Sequence, residues 1–178
     1  MKCTLDGIYP ALVTPFSATG ELDCQLAGPL IEKLIDSGVN GFYVGGSTGE
    51  GFLQSVGERQ KFLEYVSKIN SGRVTLIAQV GTLASHESWQ LSEHAADYGY
   101  DVVSSTPPFY YGYTEQEVFT YYEDLASRSK LPLLLYNAPH TTGVSLPLSA
   151  QKRLLEIPGV IGSKHTDSNL YVAEQLLS

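Results

Sequence analysis

Apolar, β-branched runs return along this chain at a nearly constant interval, and that interval limits the folds open to it. The runs occupy residues 9–16, 41–46, 74–81, 101–107, 131–139 and 160–167. Each gap between them holds a segment of helical character. Stretches such as residues 75–80 and 131–136 are almost continuously apolar, as strands covered on both faces of a parallel sheet must be. A repeating βα unit of roughly 30 residues suits an eightfold (β/α) barrel of about 250 residues. It also suits a doubly wound open sheet, although the fingerprint G-x-G-x-x-G is absent after the first run.

The helical gaps carry start signals of their own. Ser55-Val56-Gly57-Glu58 and Thr114-Glu115-Gln116-Glu117 each read as a capping box, in which a hydroxyl and a carboxylate satisfy backbone N–H groups at a helix start. Phe62, Val66 and Ile69 recur at helical spacing and predict one apolar face toward a sheet. Pro29 lies inside the first helical pattern, residues 23–37, and predicts a late start or a kink there. Tyr121 and Tyr122 on the fourth helix are expected to fill the core.

Composition narrows the function classes. Apolar residues make up 43% and charged residues 17% of 178 residues, a globular balance large enough for one domain with a real core. With 11 Lys and Arg against 19 Asp and Glu, the net charge is −8, which argues against nucleic acid and anionic membrane as partners. Cys3 and Cys24 form neither a disulfide framework nor a metal spacing and are expected to be packing residues. The opening six residues lack the apolar stretch of a signal peptide, and no run approaches the ~18 apolar residues of a membrane span. A cytoplasmic location is therefore expected. No spacing unites the four histidines with carboxylates as a metal set, so neither metal nor cofactor is expected; His140 and His165 merely flank other motifs.

Three motifs fall at the C-terminal ends of predicted strands. Gly45-Gly46-Ser47-Thr48-Gly49-Glu50 follows the second run, where glycines let backbone N–H groups turn inward and Ser47 and Thr48 add donors. Such a nest suits a carboxylate or phosphate; a plain glycine-rich turn is the alternative. Glu50 is expected to brace this loop. Tyr136-Asn137-Ala138-Pro139 closes the fifth run, and a tyrosine there can move a proton if a cation lowers its pKa. Lys164 ends the run Gly159-Val160-Ile161-Gly162-Ser163-Lys164, where an amine framed by small neighbours can form a Schiff base. Barrel enzymes place their chemistry on this face. A carboxylate nest, a phenol and an amine together describe a device for a 2-oxo acid.

These residues carry a family resemblance. The glycine-rich loop, Tyr136-Asn137-x-Pro139 and Gly162-Ser163-Lys164, with Val13-Thr14-Pro15-Phe16 and Pro108-Phe109-Tyr110-Tyr111, resemble the dihydrodipicolinate synthase/N-acetylneuraminate lyase family of class I aldolases. Residues 43–55 look like the lyase branch, and Thr141 stands where the synthases carry an arginine for a dicarboxylate substrate. The resemblance implies a TIM (β/α)8-type barrel and reversible cleavage of N-acetylneuraminate to pyruvate and N-acetylmannosamine. 4-Hydroxy-tetrahydrodipicolinate synthase and other pyruvate-dependent sugar-acid aldolases are alternatives, as is a non-catalytic module that binds a 2-oxo acid or a protein.

In this resemblance Lys164, made neutral by desolvation, attacks the 2-oxo carbon. Ser47 and Thr48 hold the carboxylate, Thr166 matches a lyase position beside the lysine, and Tyr136 handles the proton of the C4 hydroxyl. Tyr110 resembles a residue supplied across a dimer interface, reaching Tyr136 through Ser47, in a homo-oligomer built as a dimer of dimers. Family barrels are longer, so residues 1–178 are expected to form an incomplete barrel domain with strands one to six and without strands seven and eight. Its first and sixth strands would leave open edges. A fragment of an ordinary lyase is the expected reading; completion by another chain and a binding relic stay open.

Overall fold

The computed structural model describes residues 5–177. Five strands, β1 (Gly41–Val44), β2 (Thr75–Gln79), β3 (Val102–Ser105), β4 (Leu133–Asn137) and β5 (Val160–His165), alternate with helices. The helices are α1 (Gly28–Asp36), α2 (Val56–Asn70), α3 (Ser85–Asp97), α4 (Glu115–Arg128), α5 (Pro139–Thr142), α6 (Leu148–Leu155) and α7 (Leu170–Leu177). All four strand pairings are parallel, and the order across the sheet is the chain order β1-β2-β3-β4-β5. A doubly wound sheet reverses direction at a switch point, whereas a barrel adds each strand on the same side. The observed order is that of a barrel.

The curl of the sheet decides the same way. Five flat strands at about 4.8 Å spacing would hold β1 and β5 about 19 Å apart, beyond what a tyrosine and a lysine side chain bridge. Yet Lys164 Nζ on β5 lies 4.9 Å from the ring centroid of Tyr43 on β1.

The first of the six predicted strands is corrected. Residues 9–16 run alongside β1 and exchange bonds with it, Tyr43 N–H to Pro10 O at 3.0 Å and Leu12 N–H to Tyr43 O at 2.9 Å, but they form only an isolated parallel bridge, Ala11 to Tyr43. Pro10 accepts one bond and has no N–H to continue the ladder, so the segment stays an edge without becoming a strand. Among the described residues the sheet thus has five strands and a bridging segment.

The start signals act as read. Ser55 and Thr114 both close full capping boxes on α2 and α4. Residues 24–27 form a 3-10 turn and α1 begins only at Gly28, with Pro29 in its first turn. There a missing N–H is harmless, because the first turn has no intrahelical acceptor for it.

Hydrophobic residues sort onto two faces of the sheet. The outer face, with Phe42, Val44, Leu76, Ala78, Val103, Leu133 and Leu135, meets the helices through Phe62, Leu63, Val66, Leu91, Val118, Tyr121, Tyr122 and Leu125. Tyr121 and Tyr122 are core residues, and each hydroxyl finds a partner at Ser105, as buried phenols require. Cys24 is half-buried against the same core, while Cys3 lies outside the described residues. The inner face holds a smaller cluster of Tyr43, Ile77, Val102, Leu134, Tyr136 and Ala138. Parallel register carries this face from Tyr43 to Ile77 to Val102 across β1–β3. It leads into the barrel mouth.

Candidate active site

The loop after β1 is tightly folded. Gly45 has φ 75°, a conformation open to glycine at no steric cost. The N–H groups of Gly49, Glu50 and Gly51 turn back onto the carbonyls of Gly46, Ser47 and Gly46 at 3.0, 3.1 and 3.2 Å. The Thr14 hydroxyl and Gln54 Nε2 both donate to Gly49 O at 2.7 Å. The Ser47 and Thr48 N–H groups have no acceptor among the described residues, and both residues are exposed. The nest is thus narrower than six residues suggest. Its exposed free donors are at Ser47 and Thr48. Glu50 occupies the left-handed region at φ 53° and braces the loop through its backbone.

Lys164 and Tyr136 are paired in register across β5 and β4. Lys164 Nζ lies 3.4 Å from the Tyr136 ring centroid, and Ser47 Oγ lies 3.3 Å from the Tyr136 hydroxyl. Three segments distant in sequence therefore converge, one from each predicted motif. Burial pushes the Tyr136 phenol up. Hydrogen bonds from Ser47 and Lys164, the lysine charge and a bond with Thr166 outweigh that and bring its pKa below the ordinary phenol value. A phenol so placed exchanges protons more readily than a free tyrosine.

Lys164 itself is half-buried at the sheet's last strand, so the full desolvation implied by the resemblance is not present in residues 5–177. Its placement follows from an irregularity. Leu133 pairs with Val160 but Leu134 pairs with Gly162, so Ile161 is an extra residue in β5. This bulge moves Lys164 from the face of Val160 to the face of Tyr136.

Thr166 donates to Asn137 O at 2.9 Å and bonds Tyr136. Tyr110 is not brought to this cluster. It is 70% exposed on the loop before α4, ring edge against Tyr111. The Thr141 hydroxyl bonds back to Ala138 O. His140 meets Asp167 at 3.6 Å and His165 meets Asn137 at 3.1 Å. Among the described residues no three His, Cys, Asp or Glu side chains gather in metal-ligand geometry, and no helix is long and apolar enough to cross a membrane.

Sequence reasoning missed Tyr43. Its ring stands edge to face with Tyr136 at 5.8 Å and 79°, its hydroxyl donates to Ser104 Oγ at 3.0 Å, and it is 3% exposed. Burial pushes its phenol well up, so it stays a neutral donor. The available signal was its position two residues before Gly45, on the same strand face.

The chain resembles known proteins in sequence and fold. The chain is 46% identical over 173 residues to the N-acetylneuraminate lyase of Rhizobium meliloti (strain 1021), covering 97% of this chain and 57% of the relative. It is 43% identical over 177 residues to the enzyme of that name from Citrobacter koseri, covering 99% and 60%. Among solved structures it superposes on CdNal from Clostridium difficile, a complex with mannosamine, with TM-score 0.95 at 34% identity over 98% of this chain and 60% of that one. Dihydrodipicolinate synthase from Aquifex aeolicus superposes with TM-score 0.91 at 30% identity over 97% and 59%. The chain thus spans about 60% of the length of these relatives. The sequence pattern of the dihydrodipicolinate synthetase family matches residues 4–178, and the chain belongs to that family.

Proposed function

We propose that this chain carries the pyruvate-handling half of a Schiff-base class I aldolase, and that the whole protein cleaves N-acetylneuraminate reversibly to pyruvate and N-acetylmannosamine. The observation that carries this reading is the convergence of Lys164 Nζ, the Tyr136 phenol and Ser47 Oγ at the C-terminal ends of the strands.

The chemistry follows from the atoms. The free Lys164 amine adds to the 2-oxo carbon, a C–N bond forms, and the carbonyl oxygen leaves as water. The iminium so formed draws in the electron pair of the C3–C4 bond as that bond breaks. Tyr136 takes the proton of the C4 hydroxyl, which becomes the aldehyde of the departing sugar. The enamine left on Lys164 takes a proton at C3, and water hydrolyses the iminium to release pyruvate and the free amine. The free N–H groups of Ser47 and Thr48 hold the carboxylate, with Thr166 beside Tyr136. Tyr110, exposed on its loop, is available to a second copy of the chain in a dimer of dimers. A cytoplasmic setting suits such an enzyme.

The lyase is favoured over a dihydrodipicolinate synthase by Thr141, whose hydroxyl is engaged with Ala138 O and which offers no cation for a second carboxylate. Intact mass spectrometry after pyruvate and borohydride tests the proposal. One reduced adduct on the parent chain and none on Lys164→Ala is expected. Folded protein without an adduct would leave only a binding module.

A further inference from the structure

Tyr43 touches every part of the cluster. Its ring lies under Lys164 Nζ at 4.9 Å and against the Tyr136 ring at 5.8 Å. A Cβ on Gly46 would sit 2.6 Å from Tyr43 Cε1, so the nest loop rests on the same ring. Its hydroxyl is anchored on β3 through Ser104 Oγ. Side-chain entropy is already lost to these contacts, because the residue is buried on all sides. A ring held this way presents a fixed π face.

We infer that Tyr43 is a positioning residue whose ring face seats the positively charged iminium nitrogen formed on Lys164, in line with Tyr136 and the nest. This rests on Lys164 being the imine-forming lysine. Tyr136 cannot fill the role alone, because its phenol gives and takes protons and its ring becomes electron-rich or neutral in turn. Tyr43, kept neutral and donating to Ser104, is the constant partner. An aromatic face attracts a nearby cation through its quadrupole, the more strongly where water is excluded.

A substitution series at position 43 of the full chain tests this: Tyr43→Phe, the same phenylalanine with three ring fluorines, and Tyr43→Leu. Fluorine withdraws negative charge from the ring face and nearly preserves its shape, so this arm still reports if leucine fails to fold. The readouts are the initial rate of borohydride-trapped pyruvate on Lys164 and, in a Tyr136→Leu background that removes the nearer ring, the ring shielding of the Lys164 ε-methylene protons by NMR. Tyr43→Phe is expected to trap within about twofold of the parent, and the fluorinated ring and leucine about tenfold more slowly. Shielding should fall in leucine and persist in both aromatic variants.

Parent-like trapping with the fluorinated ring would overturn the inference. So would a loss in Tyr43→Phe as large as in Tyr43→Leu, which would assign the effect to the hydroxyl. If the parent itself is not trapped, the aldolase reading fails, and the shielding arm alone decides. Shielding lost in leucine then supports the seat, and shielding absent from the parent refutes it.

Discussion

Lys164 and Tyr136 face each other across β5 and β4 because Ile161 is an extra residue in β5. In an uninterrupted strand, alternate residues share a face, so Val160, Gly162 and Lys164 would point together. Val160 packs outward against the helices, and Lys164 would follow it. One bulge reverses the phase and puts the amine 3.4 Å from the tyrosine ring centroid.

Deleting Ile161 closes the bulge and leaves Gly162, Ser163 and Lys164 opposite Leu134, Leu135 and Tyr136, so the pyruvate adduct is expected to survive. Deleting Ser163 shortens the strand after the bulge by one residue, turns Lys164 to the outer face, and is expected to abolish the adduct and the ring shielding of Lys164. Trapping and circular dichroism together check this, since the sheet has to persist for the comparison to count. An adduct retained by the Ser163 deletion would refute the register argument.

Tyr136 should ionise before the core tyrosines. Burial pushes Tyr43, Tyr100, Tyr121 and Tyr122 up, whereas Ser47, Lys164 and Thr166 pull Tyr136 down despite its burial. In an ultraviolet titration, Tyr136→Phe is expected to remove an early phenolate component, and Ser47→Ala to move it to higher pH. The sign for stability follows. The folded pKa lies below the unfolded one, so the contribution is absent near neutrality and grows as pH rises through the folded value. It is complete above the unfolded value.

Gly51→Ala should destabilise the fold. Its Cβ would stand 2.0 Å from Gly45 O, and backbone there cannot yield cheaply, so a loss of about 1–3 kcal/mol is expected. Gly57, exposed at the start of α2, has nothing within 4 Å of a Cβ. Gly57→Ala should be neutral or stabilising by up to about 1 kcal/mol, since alanine lowers the entropy of the unfolded chain. Denaturant midpoints of the two variants should move in opposite directions, or only the first should move.

The capping boxes give a third stability measurement. Thr114 accepts from Glu117 N–H, and the Glu117 carboxylate accepts from Thr114 N–H at 2.7 Å. Thr114→Ala is expected to lower stability by about 1 kcal/mol, read by urea unfolding. The trapped adduct should be unaffected in folded protein, because α4 lies on the outer layer.

Much of the site was legible because its motifs are local. Glycines, hydroxyls and their spacing to a strand end make the loop at Ser47 and Thr48 recognisable within six residues, even though Thr14 also bonds into it. Tyr136 and Lys164 stood out as chemistry-bearing residues at strand ends. Tyr43 did not stand out, because an aromatic in an apolar strand reads as core. Its role depends on what crosses the barrel to meet it. Tyr110 illustrates the converse: the resemblance gives it a role, and within residues 5–177 it stands exposed and away from the cluster.

The order of residues was enough for the βα rhythm, both helix starts at Ser55 and Thr114, the late start of α1 at Pro29 and the identities of the three converging residues. These depend on periodicity, capping and turn chemistry, which act over a few residues. Only the tertiary structure decided that residues 9–16 stop at a bridge, that the sheet curls until Lys164 reaches Tyr43, and that Lys164 faces inward. Each of those depends on hydrogen bonds and contacts between distant strands, where one missing N–H at Pro10 or one extra residue at Ile161 changes the pairing. The local alternation of side chains carries no record of either.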